Sequence, residues 1–276
     1  VPDGFERPEG ELDGADRQQP CADLLFHRAD AGLTLCIERK KRAACGRLPL
    51  HQIMKEQQIP LFGLESQEPL TQFDFIGITI QYEMCYTNIL QILDLAQIPL
   101  LAKERERDMP FVIGGGPCTY NPEPLADFFD LFYIGEGETS YDALLDLYKE
   151  WKKGDASREA FLHQAAKIPG IYVPSLYEVS YKEDGTLASM EPVYDDIPKK
   201  IEKQVVTELT ASVYPDKPVV PFLKVTQDRV VLEVQRGCIR GCRFCQAGMI
   251  YRPLREKDVE RLKRQADIML KNTGYE

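Results

Sequence analysis

Phe73-Asp-Phe-Ile-Gly-Ile-Thr-Ile80 is the stretch on which the fold turns. It is a near-continuous apolar run, the pattern of a parallel strand buried on both faces. Downstream, Ile89, Leu93 and Ala96 recur at helical spacing, and that helix stops before Pro99. Phe111-Val-Ile113 reads as a second strand and runs into Gly114-Gly-Gly-Pro117. Pro124 to Phe129 gives a short helix, and Leu131-Phe-Tyr-Ile134 a third strand that ends in Gly135-Glu-Gly-Glu138. Tyr141 to Trp151 is amphipathic, with Leu144, Leu145 and Tyr148 on its buried side. Such alternation of strands and helices predicts an α/β fold with a doubly wound, Rossmann-type parallel sheet.

In sheets of this kind ligands sit beyond the carboxyl ends of the strands, where both glycine turns fall. Glycine lets a backbone approach a ligand closely and adopt positive φ. Gly114, Gly115, Gly116, Gly135 and Gly137 are therefore candidates to line the nucleotide tail of a large cofactor. Tight turns required by the sheet itself account for the same glycines. Neither turn has the Gly-x-Gly-x-x-Gly or Walker spacing, which argues against NAD or ATP.

The chemistry lies further on, in Gln235-Arg-Gly-Cys-Ile-Arg-Gly-Cys-Arg-Phe-Cys-Gln246. Cys238, Cys242 and Cys245 share one tight loop, led into by an expected strand, the apolar Val230-Val-Leu-Glu-Val234. Three thiolates so close can hold three irons of a [4Fe–4S] cluster, where a fourth cysteine would ordinarily complete the set. None lies nearby, so one iron is left for a small molecule. A structural zinc site usually takes four N or S ligands, often as two separated knuckles, and no histidine stands close in sequence.

The Cys-x3-Cys-x2-Cys spacing, with Phe244 as the aromatic before the last cysteine, resembles the radical S-adenosylmethionine (radical SAM) superfamily. The resemblance implies that SAM binds the open iron, with Phe244 beside it. It further implies that SAM is cleaved reductively to methionine and a 5′-deoxyadenosyl radical. Ile59-Pro-Leu-Phe-Gly-Leu-Glu-Ser66, Gln81-Tyr-Glu-Met-Cys-Tyr-Thr-Asn-Ile89 and Gly114-Gly-Gly-Pro-Cys-Thr-Tyr-Asn-Pro-Glu-Pro-Leu125 add to it. With Cys242-Arg-Phe-Cys-Gln-Ala-Gly-Met-Ile-Tyr-Arg252 they are similar to the fused B12-binding-like radical SAM proteins of bacteria, from about residue 53 onward. The implied architecture is a cobalamin-binding-like domain followed by the start of a radical SAM (β/α) barrel. Cobalamin is thus a possible cofactor. The Asp-x-His-x-x-Gly motif that supplies a cobalt ligand elsewhere is absent, and His163 sits in a helical stretch. Cobalamin would bind without an axial histidine, or the domain kept the fold and lost the ligand.

The resulting division is a poorly patterned 1–52, disordered or frame-shifted; a cobalamin-binding-like 53–155; a connector, 156–228; and a barrel opening, 229–276. A barrel needs further strands, so the expectation is an N-terminal piece of a longer enzyme. Within the first part, Val1–Pro20 has little to bury, and Glu38-Arg-Lys-Lys-Arg42 reads as a solvated turn. Cys21, Cys36 and Cys45 have no ligand-like spacing, and His27 and His51 read as surface residues. In the connector, Ser157 caps a helix, and period-two alternation around Glu183-Asp-Gly185 predicts a β-hairpin. Asp258 caps a last helix that presents Val259, Leu262, Ala266 and Met269 to the barrel and ends at Gly274. Arg236, Arg240, Arg243, Arg252 and Arg255 crowd the cysteine loop; one or two could contact an anionic substrate or tune a cluster's potential, and solvated surface side chains are their ordinary reading.

The 276 residues carry a formal net charge of -10, which argues against broad nucleic-acid or membrane-surface binding. No apolar run is long enough to span a membrane. The 8 cysteines do not form a secreted disulfide framework. Oxygen-sensitive clusters favour a reducing cytoplasm. The expected partners are an unidentified substrate and an electron donor such as flavodoxin or ferredoxin. A non-catalytic iron–sulfur electron carrier and a cobalamin-binding module remain the alternatives.

Overall fold

The structure, a computed structural model, describes residues 23–29, 32–38, 50–64, 66–212, 214–222, 225–226 and 228–275. The readings of Val1–Pro20, Cys21, Cys45 and the basic run 39–42 lie outside those residues. The chain forms two compact units, one reaching Gly115 and including Pro124–Leu131, the other comprising Gly116–Glu123 and Phe132–Glu276.

In the first unit β1 (Asp23–Ala29) is antiparallel to β2 (Gly32–Glu38). A helix, α1 (Leu50–Glu56), follows. The decisive apolar run supplies β3 (Phe75–Thr79), parallel to β2, and β4 (Phe111–Gly115) is parallel to β3. Consecutive residues Phe75 and Ile76, and likewise Phe111, Val112 and Ile113, are buried, so both faces of these strands are covered. Between β3 and β4 runs α2 (Tyr86–Leu95), which buries Ile89 and Leu93, with Ala96 buried just beyond its end. The 3.6-residue period of that segment is thus the period of its contact with the core.

Beneath the apolar core lies an ion pair that no local pattern announces. Arg105 Nη1 donates to Asp130 Oδ2 at 2.7 Å, with side chains 0% and 1% exposed. The rest of the guanidinium donates to the carbonyls of Pro99, Leu100 and Phe128, and Asp130 Oδ2 also accepts the Val112 N–H at 2.7 Å. Buried charges persist when paired and hydrogen-bonded in this way.

In the second unit β5 (Leu131–Tyr133) enters from the junction and pairs antiparallel with β6 (Ile171–Tyr172). The sheet is therefore not parallel throughout, although the fold is α/β as expected. Two helices intervene, α3 (Tyr141–Lys152), with Leu144 and Tyr148 buried, and α4 (Arg158–Ala165). The Ser157 hydroxyl accepts the Ala160 N–H at 3.2 Å, the cap read from sequence. Tyr148, Trp151 and Phe161 pack as a ring cluster with centroids 5.4–5.8 Å apart. The expected hairpin is present as β7 (Tyr177–Tyr181) and β8 (Leu187–Pro192), its turn held by Asp184 Oδ1 accepting from Thr186 N–H.

Two expectations fail toward the carboxyl end. Val230–Val234 is not a strand; regular pairing starts at β9 (Gln235–Arg236) and involves only β10 (Arg255–Glu256). Val231 and Val234 are more than half exposed, and among the described residues no neighbouring strand covers the run. The final helix is capped as expected, with Asp258 Oδ1 accepting from Arg261 N–H and Gly274 left-handed at φ 73. Its buried residues, however, are Gln265 and Met269, while Val259 is exposed.

Candidate cysteine-loop site

The second unit presents the three cysteines on an excursion, residues 237–254, that leaves from β9 and returns in β10. Those strands form a ladder of two pairs, Arg236 with Arg255 and Gln235 with Glu256. Gly237 follows at once, with φ 92, and a Cβ there would lie 2.5 Å from the Pro253 carbonyl oxygen and 2.6 Å from that of Tyr251. Only glycine lets the outgoing and returning chains meet so closely. Cys238 is half-buried and its Sγ receives the Arg240 N–H at 3.5 Å; Cys242 and Cys245 are exposed. The Cys245 N–H donates to the Cys242 carbonyl at 3.1 Å, and a one-turn helix, α5 (Ala247–Ile250), follows. Phe244 is 93% exposed, the side chain standing off the loop.

All three thiols are free. Among the described residues no three His, Cys, Asp or Glu side chains converge as a ready-made metal site. The donor set nevertheless suits a thiophilic iron–sulfur group: three unoxidised sulfurs on one short loop, one already accepting a backbone N–H. Convergence of mobile ligands is commonly driven by the metal–ligand bonds themselves.

Glutamates from the Gly135–Glu138 turn grip the base of this excursion. Arg255 Nη1 and Nη2 each donate to Glu136 at 2.7 Å, and Arg236 Nη1 lies 3.2 Å from the same carboxylate. The Val206 N–H donates to Glu136 Oε2 at 2.7 Å. Arg236 also meets Glu138 at 2.6 Å and Glu233 at 2.7 Å, and Lys257 reaches Glu233 at 3.1 Å. Burial by itself would raise the Glu136 carboxyl, but hydrogen bonds from Arg255 and Val206, with the charges of Arg255 and Arg236, hold it below its ordinary value. Glu233 is lowered against the same opposing burial, by Arg236 and Lys257. On the return limb, the Ile250 carbonyl accepts from Tyr120 Oη at 2.7 Å and from Lys203 Nζ at 3.0 Å, and Lys203 also donates to the Arg252 carbonyl. Tyr120 is pushed up to about 12, chiefly by burial and then by the charge of Glu136.

This corrects the reading of two arginines. Arg236 and Arg255 are not solvated; Arg255 is 7% exposed and bound to a carboxylate, whereas Arg240, Arg243 and Arg252 are exposed. At Gly135 the close approach is made by the chain itself: with φ 120, an added Cβ would lie 2.2 Å from the Gln204 carbonyl oxygen. Gln204 N–H donates to the Ile134 carbonyl and its own carbonyl accepts the Glu136 N–H, which fits the reading of Gly135 as a tight turn of the chain. Gly137 faces open space. Gly114 and Gly115 are the last residues of β4, and Gly116, with φ 89, opens the turn Pro117–Tyr120. Gly135→Ala should therefore disrupt this turn by about 2 kcal/mol or more, since a strained φ and an overpacked contact combine. The Gly137→Ala control should change stability by under about 1 kcal/mol, the ordinary range for Gly/Ala exchange. Urea unfolding of the two variants checks it, and equal midpoints would refute the assignment.

The sequence reading missed Glu136, Glu138, Lys203, Tyr120, Glu233 and Lys257. Of these, Glu136 and Glu138 carried a signal as the non-glycine members of a turn already singled out.

The fold is that of an α/β protein with parallel strands at its centre. The chain belongs to the family described as radical SAM proteins, N-terminal, which matches residues 34–174. The match begins ahead of Ile53 and ends before the cysteine loop. The chain is 28% identical, over 211 residues, to an uncharacterized protein of Methanocaldococcus jannaschii. The aligned part covers 75% of this chain and 38% of that relative. No solved structure matches the chain. Among the described residues, no helix is long and apolar enough to cross a membrane.

Proposed function

We propose that the chain is the N-terminal part of a radical SAM enzyme in which Cys238, Cys242 and Cys245 hold a [4Fe–4S] cluster. The observation that carries this reading is the set of three free thiols on one loop of a chain from the radical SAM N-terminal family. A cluster held there would supply the one electron and the vacant iron site that reductive cleavage of SAM to methionine and a 5′-deoxyadenosyl radical requires. The chain's own part is presentation. Gly237 closes the base of the loop, the Arg240 N–H points at Cys238 Sγ, and the exposed Phe244 would lie along SAM. The exposed Arg240, Arg243 and Arg252 offer a cationic rim to an acidic electron carrier of the flavodoxin or ferredoxin kind. A reducing compartment suits exposed thiols with this role.

The test uses the full-length protein, because the chain spans little more than a third of its relative. After anaerobic reconstitution with iron and sulfide, SAM and dithionite should yield 5′-deoxyadenosine and methionine in equal amounts. A loaded protein that produces none is an electron carrier, and the enzymatic reading fails.

A further inference from the structure

We propose that Glu136 is a positioning residue for the cysteine loop, acting through Arg255 and Arg236 on the two strands between which the loop is strung. The proposal rests on the reading of Cys238, Cys242 and Cys245 as cluster ligands and adds how the loop is held.

The β9–β10 ladder has two residue pairs, and so short a two-stranded element is marginal by itself. Its outgoing strand carries Arg236 and its returning strand carries Arg255, directly opposite one another. Two like charges face each other across the ladder, which is unfavourable unless an anion sits between them. Glu136 is that anion. It takes Arg255 through both Nη atoms in a fork and touches Arg236 with the oxygen that also accepts the Val206 N–H.

The two arginines do not depend on it equally. Arg236 has two further carboxylates, Glu138 and Glu233. Arg255 has Glu136 as its only ion-pair partner among the described residues, and it is nearly buried. Glu136 is fixed in turn by the backbone: Gly135 lets Gln204 close in, so that Glu136 N–H and the Gln204 carbonyl meet at 3.0 Å. The Gly-Glu-Gly-Glu turn thus works as a carboxylate clamp on the cysteine loop. Groups that orient metal ligands from behind are often as consequential as the ligands.

The test is the release of iron from the anaerobically reconstituted full-length protein to an excess of chelator, together with the electron paramagnetic resonance line shape of the reduced cluster. Glu136→Gln and Arg255→Lys should each speed iron loss by roughly 10–100-fold, the usual cost of removing an outer partner of a metal ligand, and alter the line shape. Arg255→Lys keeps the charge and loses the fork, so it retains the test if Glu136→Gln does not fold. Ser157→Ala removes a helix cap in the same unit without touching the loop and should leave both readouts as in wild type. If both clamp variants release iron at the wild-type rate, or Ser157→Ala speeds release as much as they do, the clamp is refuted and the cysteine assignment stands. If the wild-type protein takes up no iron, the cysteine assignment falls and the clamp falls with it.

Discussion

Arg105→Met should cost the first unit about 3–5 kcal/mol, the usual penalty for breaking a buried ion pair by removing one member. The Asp130 carboxylate, 1% exposed, would keep the Val112 N–H but lose the cation 2.7 Å away. The carbonyls of Pro99, Leu100 and Phe128 would lose their guanidinium donor at the same time. A domain's whole stability is about 5–15 kcal/mol, so the variant should sit near the edge of folding. Asp130→Asn should cost less. Its side-chain oxygen can still accept from Val112, and Arg105 retains all three carbonyls. The measurement is the urea midpoint at unchanged slope. A loss well under about 3 kcal/mol for Arg105→Met would show that the pair is not what holds this corner, whereas equal losses for the two variants would assign the cost to the charge pair that both break rather than to the carbonyl bonds.

Cys242→Ser has the second large effect. A serine hydroxyl does not ionise near neutral pH and is a poor iron ligand beside a thiolate. The reconstituted variant should lose the thiolate-to-iron absorbance and produce no 5′-deoxyadenosine from SAM, while its unfolding transition stays close to wild type because residue 242 is exposed. Cys85→Ser is the contrasting case. Cys85 is buried with its Sγ 2.9 Å from the Tyr82 carbonyl, and that variant should keep its iron. If Cys242→Ser assembled a full cluster, residue 242 would not be a ligand.

Both predictions separate two kinds of information. The cysteine triad was visible because its three thiols lie within eight consecutive residues, 238–245. Ligand spacing of that kind is a local property. The Arg105–Asp130 pair spans 25 positions and the Glu136–Arg255 pair 119, and each residue taken alone reads as an ordinary surface charge. The arginines around the cysteine loop show the difference within one segment. Arg240, Arg243 and Arg252 behave as composition suggests, whereas Arg236 and Arg255 are gripped by carboxylates that sequence proximity does not bring near them.

By itself the sequence determined β3, β4 and β5, the β7–β8 hairpin, the caps Ser157 and Asp258, and the spacing of the three cysteines. These follow from apolar period, turn chemistry and near-neighbour hydrogen bonds, all of which act over a few residues. Tertiary structure decided which charges were buried, which glycine met backbone, and that Val230–Val234 joined no strand ladder. Those outcomes depend on which distant segment arrives alongside. Gly135 is the clearest instance: its neighbours in sequence suggest a ligand turn, and the approach of Gln204 makes it a hinge for the Glu136 clamp.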